Sequence, residues 1–147
     1  GLFSFIIQHK EGYLPEAKKL ENNFIKKLDH VVIKTNNADS FIEVYNKIFD
    51  IRLALDKFIE TWKRRMLFFR LNKTTIEVIE EKDESETPQD ILWGLAWEVE
   101  DISKKIDELI ANGTDVSEIK KGVKENTLVA TIKSHTHNVP TLLIQYE

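Results

Sequence analysis

The chain has 147 residues, 41% of them hydrophobic, with 25 acidic against 21 basic side chains and a formal charge of -4. That length suits one domain burying about two-thirds of the surface its extended chain exposes; the acidic balance is unsuited to nucleic acid, and no apolar run approaches the roughly 20 residues that span a bilayer. The absence of cysteine excludes disulfides, thiolate nucleophiles and zinc–thiolate sites, agrees with a reducing, cytoplasmic compartment, and leaves His, Asp and Glu as metal donors.

The opening residues Phe5-Ile6-Ile7-Gln8-His9 follow the same order as Leu142-Leu143-Ile144-Gln145-Tyr146 near the end: an apolar run, a glutamine, a bulky residue. Residues 3–10 are therefore expected to form the closing strand of a preceding module, with 1–27 as its remnant and connector. A segment this apolar is expected to dock on a sheet edge, in this chain or in a second copy as a homodimer, because an open strand edge invites pairing. Pro15, followed by Ala17, Leu20, Phe24 and Leu28 at helical spacing, predicts a short helix.

LDHVVIK over residues 28–34 reads as a buried strand ended by Asn36-Asn37. Phe41, Val44, Tyr45, Ile48 and Phe49 recur at helical spacing, and Ser40 with Glu43 fits a capping box. Strands are expected over 52–59, 65–71 and 74–80, the last two joined by a tight turn. KDESETPQD, residues 82–90, is a solvated linker. Beyond it the order repeats: a strand over 92–99, a helix capped by Asp101 and stopped at Asn112-Gly113, then strands over 115–119, 127–133 and 141–146. Both halves, 28–81 and 91–147, read strand, helix, strand, strand, strand, an internal repeat.

Strand alternation places Val31 and Ile33 toward the helices and His30 and Val32 on the other face. By the same parity Glu77 opposes Ile76 and Val78. In the second half Trp93, Leu95, Trp97 and Val99 face the helices, leaving Gly94, Ala96 and Glu98 opposite. The small residues there are expected to leave room for a ligand above a floor of His30, Glu77, Gly94 and Ala96.

The duplication, with LDHVVI, KIFDIRLAL, RRMLFFRLNKTTIEVIE and GLAWEVEDISKKIDELIANG, resembles the vicinal oxygen chelate superfamily, the glyoxalase-like proteins, over residues 28–147. The resemblance implies an α+β fold in which two tandem βαβββ modules form a curved, cup-shaped mixed sheet with helices on the convex face, here with an extra N-terminal strand and helix. It also implies a metal on the concave face, held by the first and last strand of each module. His30 and Glu77 match two ligand positions; Gly94 and Leu142 fall at the other two and bring no ligand atom. The implied cofactor is one divalent ion, zinc, nickel, manganese or iron, on His30 and Glu77. Glu98, His135 and His137 are candidate substitutes for the missing ligands.

Three functional expectations follow. The first is a lyase or isomerase akin to lactoylglutathione lyase, acting on a small oxygenated substrate, with Glu77 as general base if burial raises its pKa. Its substrate contacts are His30, Arg64, Phe68, Arg70, Gly94, Ala96 and His137, with Trp62 covering the cup. The second is a non-catalytic small-molecule-binding module like the bleomycin resistance proteins, which the two missing ligands favour. A third is a structural half whose catalytic partner lies elsewhere in a longer polypeptide; the superfamily also includes ring-cleaving dioxygenases.

Overall fold

The computed structural model describes residues 2, 5–10, 25–82, 87 and 89–147. The strands are β1 (Ile25–Thr35), β2 (Arg52–Ile59), β3 (Arg64–Leu71), β4 (Thr74–Glu80), β5 (Ile91–Val99), β6 (Lys120–Lys121), β7 (Thr127–Ile132) and β8 (Thr141–Tyr146). They form one mixed eight-stranded sheet in the order β2-β3-β4-β1-β5-β8-β7-β6. Within each module the first strand lies parallel to the last, β1 beside β4 and β5 beside β8, and the modules meet where β1 and β5 pair antiparallel. The expected duplicated, cup-shaped α+β architecture is the one observed.

Alternation along each strand sends one set of apolar residues to the helix side, where each module builds its own core. In the first, Ile33, Leu67, Phe69 and Val78 pack with Ala38 and Phe41. In the second, Val99, Ala130 and Leu143 pack with Ile102 and Ile106 of helix α2 (Ile102–Ala111). The Asp101 carboxylate accepts from Lys104 N at 3.0 Å, and Gly113 at φ +81° lets the chain turn away after Asn112. Asp101→Ala is expected to cost about 1 kcal/mol of stability, read by urea denaturation.

Several local expectations are corrected. The first helix, α1 (Ala38–Phe41), is capped by Asn37, whose side chain accepts from Ser40 N at 3.1 Å; Ser40 is not the cap. Ile42–Ile48 continues it with wider turns, Phe49 N donating to Val44 O. Phe41, Tyr45 and Phe49 follow one another at 5.2 and 5.8 Å between ring centroids, and a four-residue aromatic repeat suits a turn wider than 3.6 residues. The strand expected over 115–119 reduces to a bridge from Val116 to Ile132, with β6 following it.

At the start of the chain, residues 5–10 form no strand, and Phe5, Ile6 and Ile7 are exposed. The helix expected from Pro15 lies mostly outside the described residues, and its last turn is instead the beginning of β1. Trp97 packs on the second core as expected, but Trp93 is 40% exposed, with Lys34 Nζ 4.9 Å from its ring. A register shift between Val32 and Ile33 where β1 meets β5 breaks the parity that would have buried it. Among the described residues no helix is long and apolar enough to cross a membrane.

Candidate functional site

The β1–β5 register places His30 opposite Ala96 and Val32 opposite Gly94. A local two-fold through the Val31–Leu95 pair therefore exchanges His30 with Gly94 and Val32 with Ala96. Glu77 lies beside Val32 on β4, and Leu142 lies beside Ala96 on β8, so the same axis exchanges Glu77 with Leu142. The four positions expected to be equivalent are thus equivalent in space, and one module is polar where the other is not.

His30 and Glu77 come together on the face away from the helices, with His30 Nδ1 3.9 Å from Glu77 Oε1. Phe68 lies directly opposite Glu77 across β3–β4. Arg70 lies opposite Thr75 and donates to its hydroxyl at 2.8 Å, and Thr75 is in turn beside His30. These four expected residues share one surface.

The others do not join it as expected. Gly94 is buried, and a Cβ there would stand 3.1 Å from Pro140 O, which accepts from Leu95 N; the room expected above Gly94 is filled by backbone. Arg64 pairs with Glu81 and lines a separate cleft of about 700 Å³ with Lys34, Phe58 and Ile91, a cleft that includes neither His30 nor Glu77. His135 and His137 are both exposed, and both have positive φ in the turn before β8, so they do not share an extended face. Trp62 is 49% exposed in the β2–β3 turn.

Residues not anticipated complete the site. Asp29 has no partner on β5, because the register slips between Leu28 and His30; this bulge lets Asp29 reach the cup although simple parity puts it on the other face. Its Oδ1 lies 2.9 Å from His30 Nδ1, and its Oδ2 accepts from Tyr146 OH at 3.0 Å and from Lys27 Nζ at 3.2 Å. Lys124 Nζ donates to Tyr146 OH at 2.8 Å and stands 4.5 Å from the ring centroid. Tyr146 has the parity of Leu142, which is a readable signal; the bulge at Asp29 and the loop position of Lys124 leave none.

The electrostatics follow from this geometry. Burial opposes the Asp29 charge, but hydrogen bonds from His30, Tyr146 and Lys27 outweigh it and hold the carboxyl below the usual carboxylate range. An ionised Asp29 only accepts, so His30 Nδ1 carries a proton. Burial pulls His30 down, yet the Asp29 hydrogen bond and the Glu77 and Asp29 charges carry it above its ordinary value. Burial, helped by the Asp29 charge, pushes Glu77 up against the pull of His30 and Lys124.

A depressed carboxyl stabilises the fold above its unfolded pKa and loses that contribution as pH falls. The Asp29 share is therefore present above about pH 4 and disappears in acid, while the His30 share, from a raised pKa, is full below about pH 6.5 and is lost as pH rises. Asp29→Asn is expected to shrink the stability difference between pH 3 and pH 6 in urea titrations. An unchanged difference would remove Asp29 as a source of the acid sensitivity.

The donor set does not fit a resident divalent ion. Gly94 and Leu142 supply no ligand atom, and among the described residues no three His, Asp or Glu side chains converge as a metal site. Glu98, a candidate substitute, is taken by Lys27 at 3.3 Å.

Comparison with known proteins agrees with the geometry. The family model described as the Glyoxalase/Bleomycin resistance protein/Dioxygenase superfamily matches residues 29–131. A methylmalonyl-CoA epimerase from Mycobacterium tuberculosis superposes with a TM-score of 0.65 at 18% identity, covering 86% of this chain and 91% of that one. A hypothetical protein from Bacillus halodurans C-125 gives 0.64 at 20% identity, covering 82% and 94%. A Streptomyces coelicolor methylmalonyl-CoA epimerase in complex with 2-nitronate-propionyl-CoA gives 0.62 at 15%, covering 83% and 98%. A comparison with curated proteins finds no match.

Proposed function

Because the chain belongs to the Glyoxalase/Bleomycin resistance protein/Dioxygenase superfamily, we propose that its cup binds a small oxygenated substrate and that Glu77 removes a proton next to a carbonyl. The chemistry is that of a glyoxalase-type lyase or isomerase. The observation that carries this reading is a mostly buried carboxylate with a raised pKa, 3.9 Å from an imidazole whose other contact is an ionised aspartate.

A base works best when its pKa approaches the working pH, and burial moves Glu77 in that direction. As the C–H bond breaks, the proton goes to Glu77 and the electron pair to the carbonyl oxygen as an enolate. His30 is held through Nδ1 by Asp29, whose hydrogen bond favours the protonated ring, and in that form it offers Nε2–H as a donor to that oxygen. In an α-hydroxy carbonyl substrate, return of the proton from Glu77 to the former carbonyl carbon, with the hydroxyl proton passing to the enolate oxygen, completes an isomerisation; return to the original carbon restores the substrate and shows only as exchange. No step runs through a metal, because the donor set lacks two of four ligands.

Deuterium exchange tests this directly. The protein in D2O is incubated with a panel of carbonyl compounds, including a methylmalonyl thioester since two structural neighbours are methylmalonyl-CoA epimerases. Label entering the carbon beside the carbonyl is followed by NMR. Protein-dependent exchange with at least one member supports the base; no exchange, with ligands still raising the melting temperature, supports a binding module instead. Gly94 and Leu142 at the unfilled positions favour that second reading.

A further inference from the structure

From β2 to β8, one row across the concave face reads Arg52, Arg70, Thr75, His30, Ala96, Leu142. Arg52 and Arg70 are directly opposite each other and both exposed, and like charges in that relation repel. Among the described residues neither is paired with a carboxylate; Arg70 donates to the Thr75 hydroxyl. Lys124 stands on the far side of His30, joined to it through Tyr146 and Asp29, and it too has no carboxylate among the described residues.

The acidic groups between these cations are already engaged. Asp29 is held by His30, Tyr146 and Lys27, and Glu98 by Lys27, which also donates to Lys73 O at 2.8 Å. Glu77 faces His30. Among the described residues the face is therefore flanked on both sides of the His30–Glu77 pair by cations that no carboxylate contacts directly, in a chain whose formal charge is -4.

Both cations keep donors in reserve. The Lys124 ammonium has three N–H groups and spends one on Tyr146, whose ring steadies it; the Arg70 guanidinium has five and spends one on Thr75. Arg70 lies two strands from His30, about 10 Å by strand spacing.

We propose that the cup selects a carboxylate-bearing carbonyl compound, with Arg70 and Lys124 as the specificity-determining cations that receive its charge on the two sides of His30 and Glu77. This rests on the reading of the cup as the substrate site. It also gives the second module a role: where Gly94 and Leu142 leave no metal ligands, Lys124, seated on Tyr146, supplies a cation. Charge received at either flank draws the substrate onto the face that carries His30 and Glu77.

Malonate, monomethyl malonate and dimethyl malonate share an acidic methylene and carry two, one and no carboxylates, so they separate charge from shape. Their affinities are read by NMR titration of labelled protein, and exchange of the C2 protons of dimethyl malonate in D2O is followed separately. Malonate is expected to bind at least about tenfold more tightly than the diester, as one charge-assisted hydrogen bond provides, and less tightly as salt rises. Lys124→Gln and Arg70→Gln should each collapse the malonate-to-diester ratio, and Lys124→Arg should restore it. Equal affinity for the three compounds, no malonate binding at roughly 20 mM (a free energy near -2.3 kcal/mol), or an unchanged ratio in both Gln variants overturns the proposal. Diester exchange with equal affinities would leave the Glu77 reading standing while this one falls; charge selection without exchange would do the reverse.

Discussion

Glu77→Gln is expected to lower the rate of proton exchange beside a substrate carbonyl by roughly 100- to 10,000-fold, the usual share of a positioned general base. Glutamine keeps the shape of the side chain and its place opposite Phe68, but it cannot take up a proton. The variant should not unfold. Burial is the chief cause of the raised Glu77 pKa, which means that the ionised form weighs against the fold, and an uncharged amide relieves that cost. Exchange by the wild type should rise with pH as Glu77 ionises, with a midpoint above the roughly 4.3 of an ordinary glutamate. A loss smaller than about tenfold, in a variant with unchanged melting temperature, would remove Glu77 from the base role and turn attention to binding alone.

Phe69→Ala carries the largest expected cost in stability, about 3 to 5 kcal/mol. The ring is fully buried in the first module's core, against Leu67, Val78 and Phe41, with Tyr45 at 5.9 Å between centroids. Truncation removes the apolar burial and leaves a cavity that the sheet behind it cannot close. In a domain of this size the melting temperature should fall by roughly 10 °C. Phe68→Ala, one residue earlier, makes the informative contrast. Phe68 faces the cup beside Glu77, so its truncation should wet the carboxylate, bring its pKa down and weaken ligand binding, with a smaller loss of stability. Equal destabilisation by the two variants would contradict the assignment of faces.

Much of the site was readable because strand alternation is strict wherever pairing is regular. From His30 to Thr35, β1 pairs with β4 without interruption, and from Met66 to Leu71 so does β3; here parity separates His30 and Glu77 from Val31 and Val78, and the register adds Phe68 and Arg70 to their face. Parity fails where the β1–β5 register slips. One slip brings Asp29 to His30, and another accompanies the exposure of Trp93 that the alternating pattern would have buried. Arg64 has the parity of Phe68 yet belongs to a different cleft, since Glu81 holds it at the end of the strand. His135 and His137 could share one face only if their segment were extended, and the backbone there turns instead.

The amino-acid pattern by itself determined the repeated strand, helix, strand, strand, strand order and the two apolar faces, because these depend on local periodicity and on residue type, and the family resemblance it carries singled out His30 and Glu77. Only the tertiary structure decided what surrounds that pair. It filled the space over Gly94 with the Pro140 carbonyl, tied Asp29 to Tyr146 across 117 positions of chain, and set Lys124 against the Tyr146 ring. Those contacts join residues far apart in sequence through a bulge, a strand crossover and a loop. Periodicity describes which way a side chain points from its own strand; it carries no information about which distant group will be there to meet it.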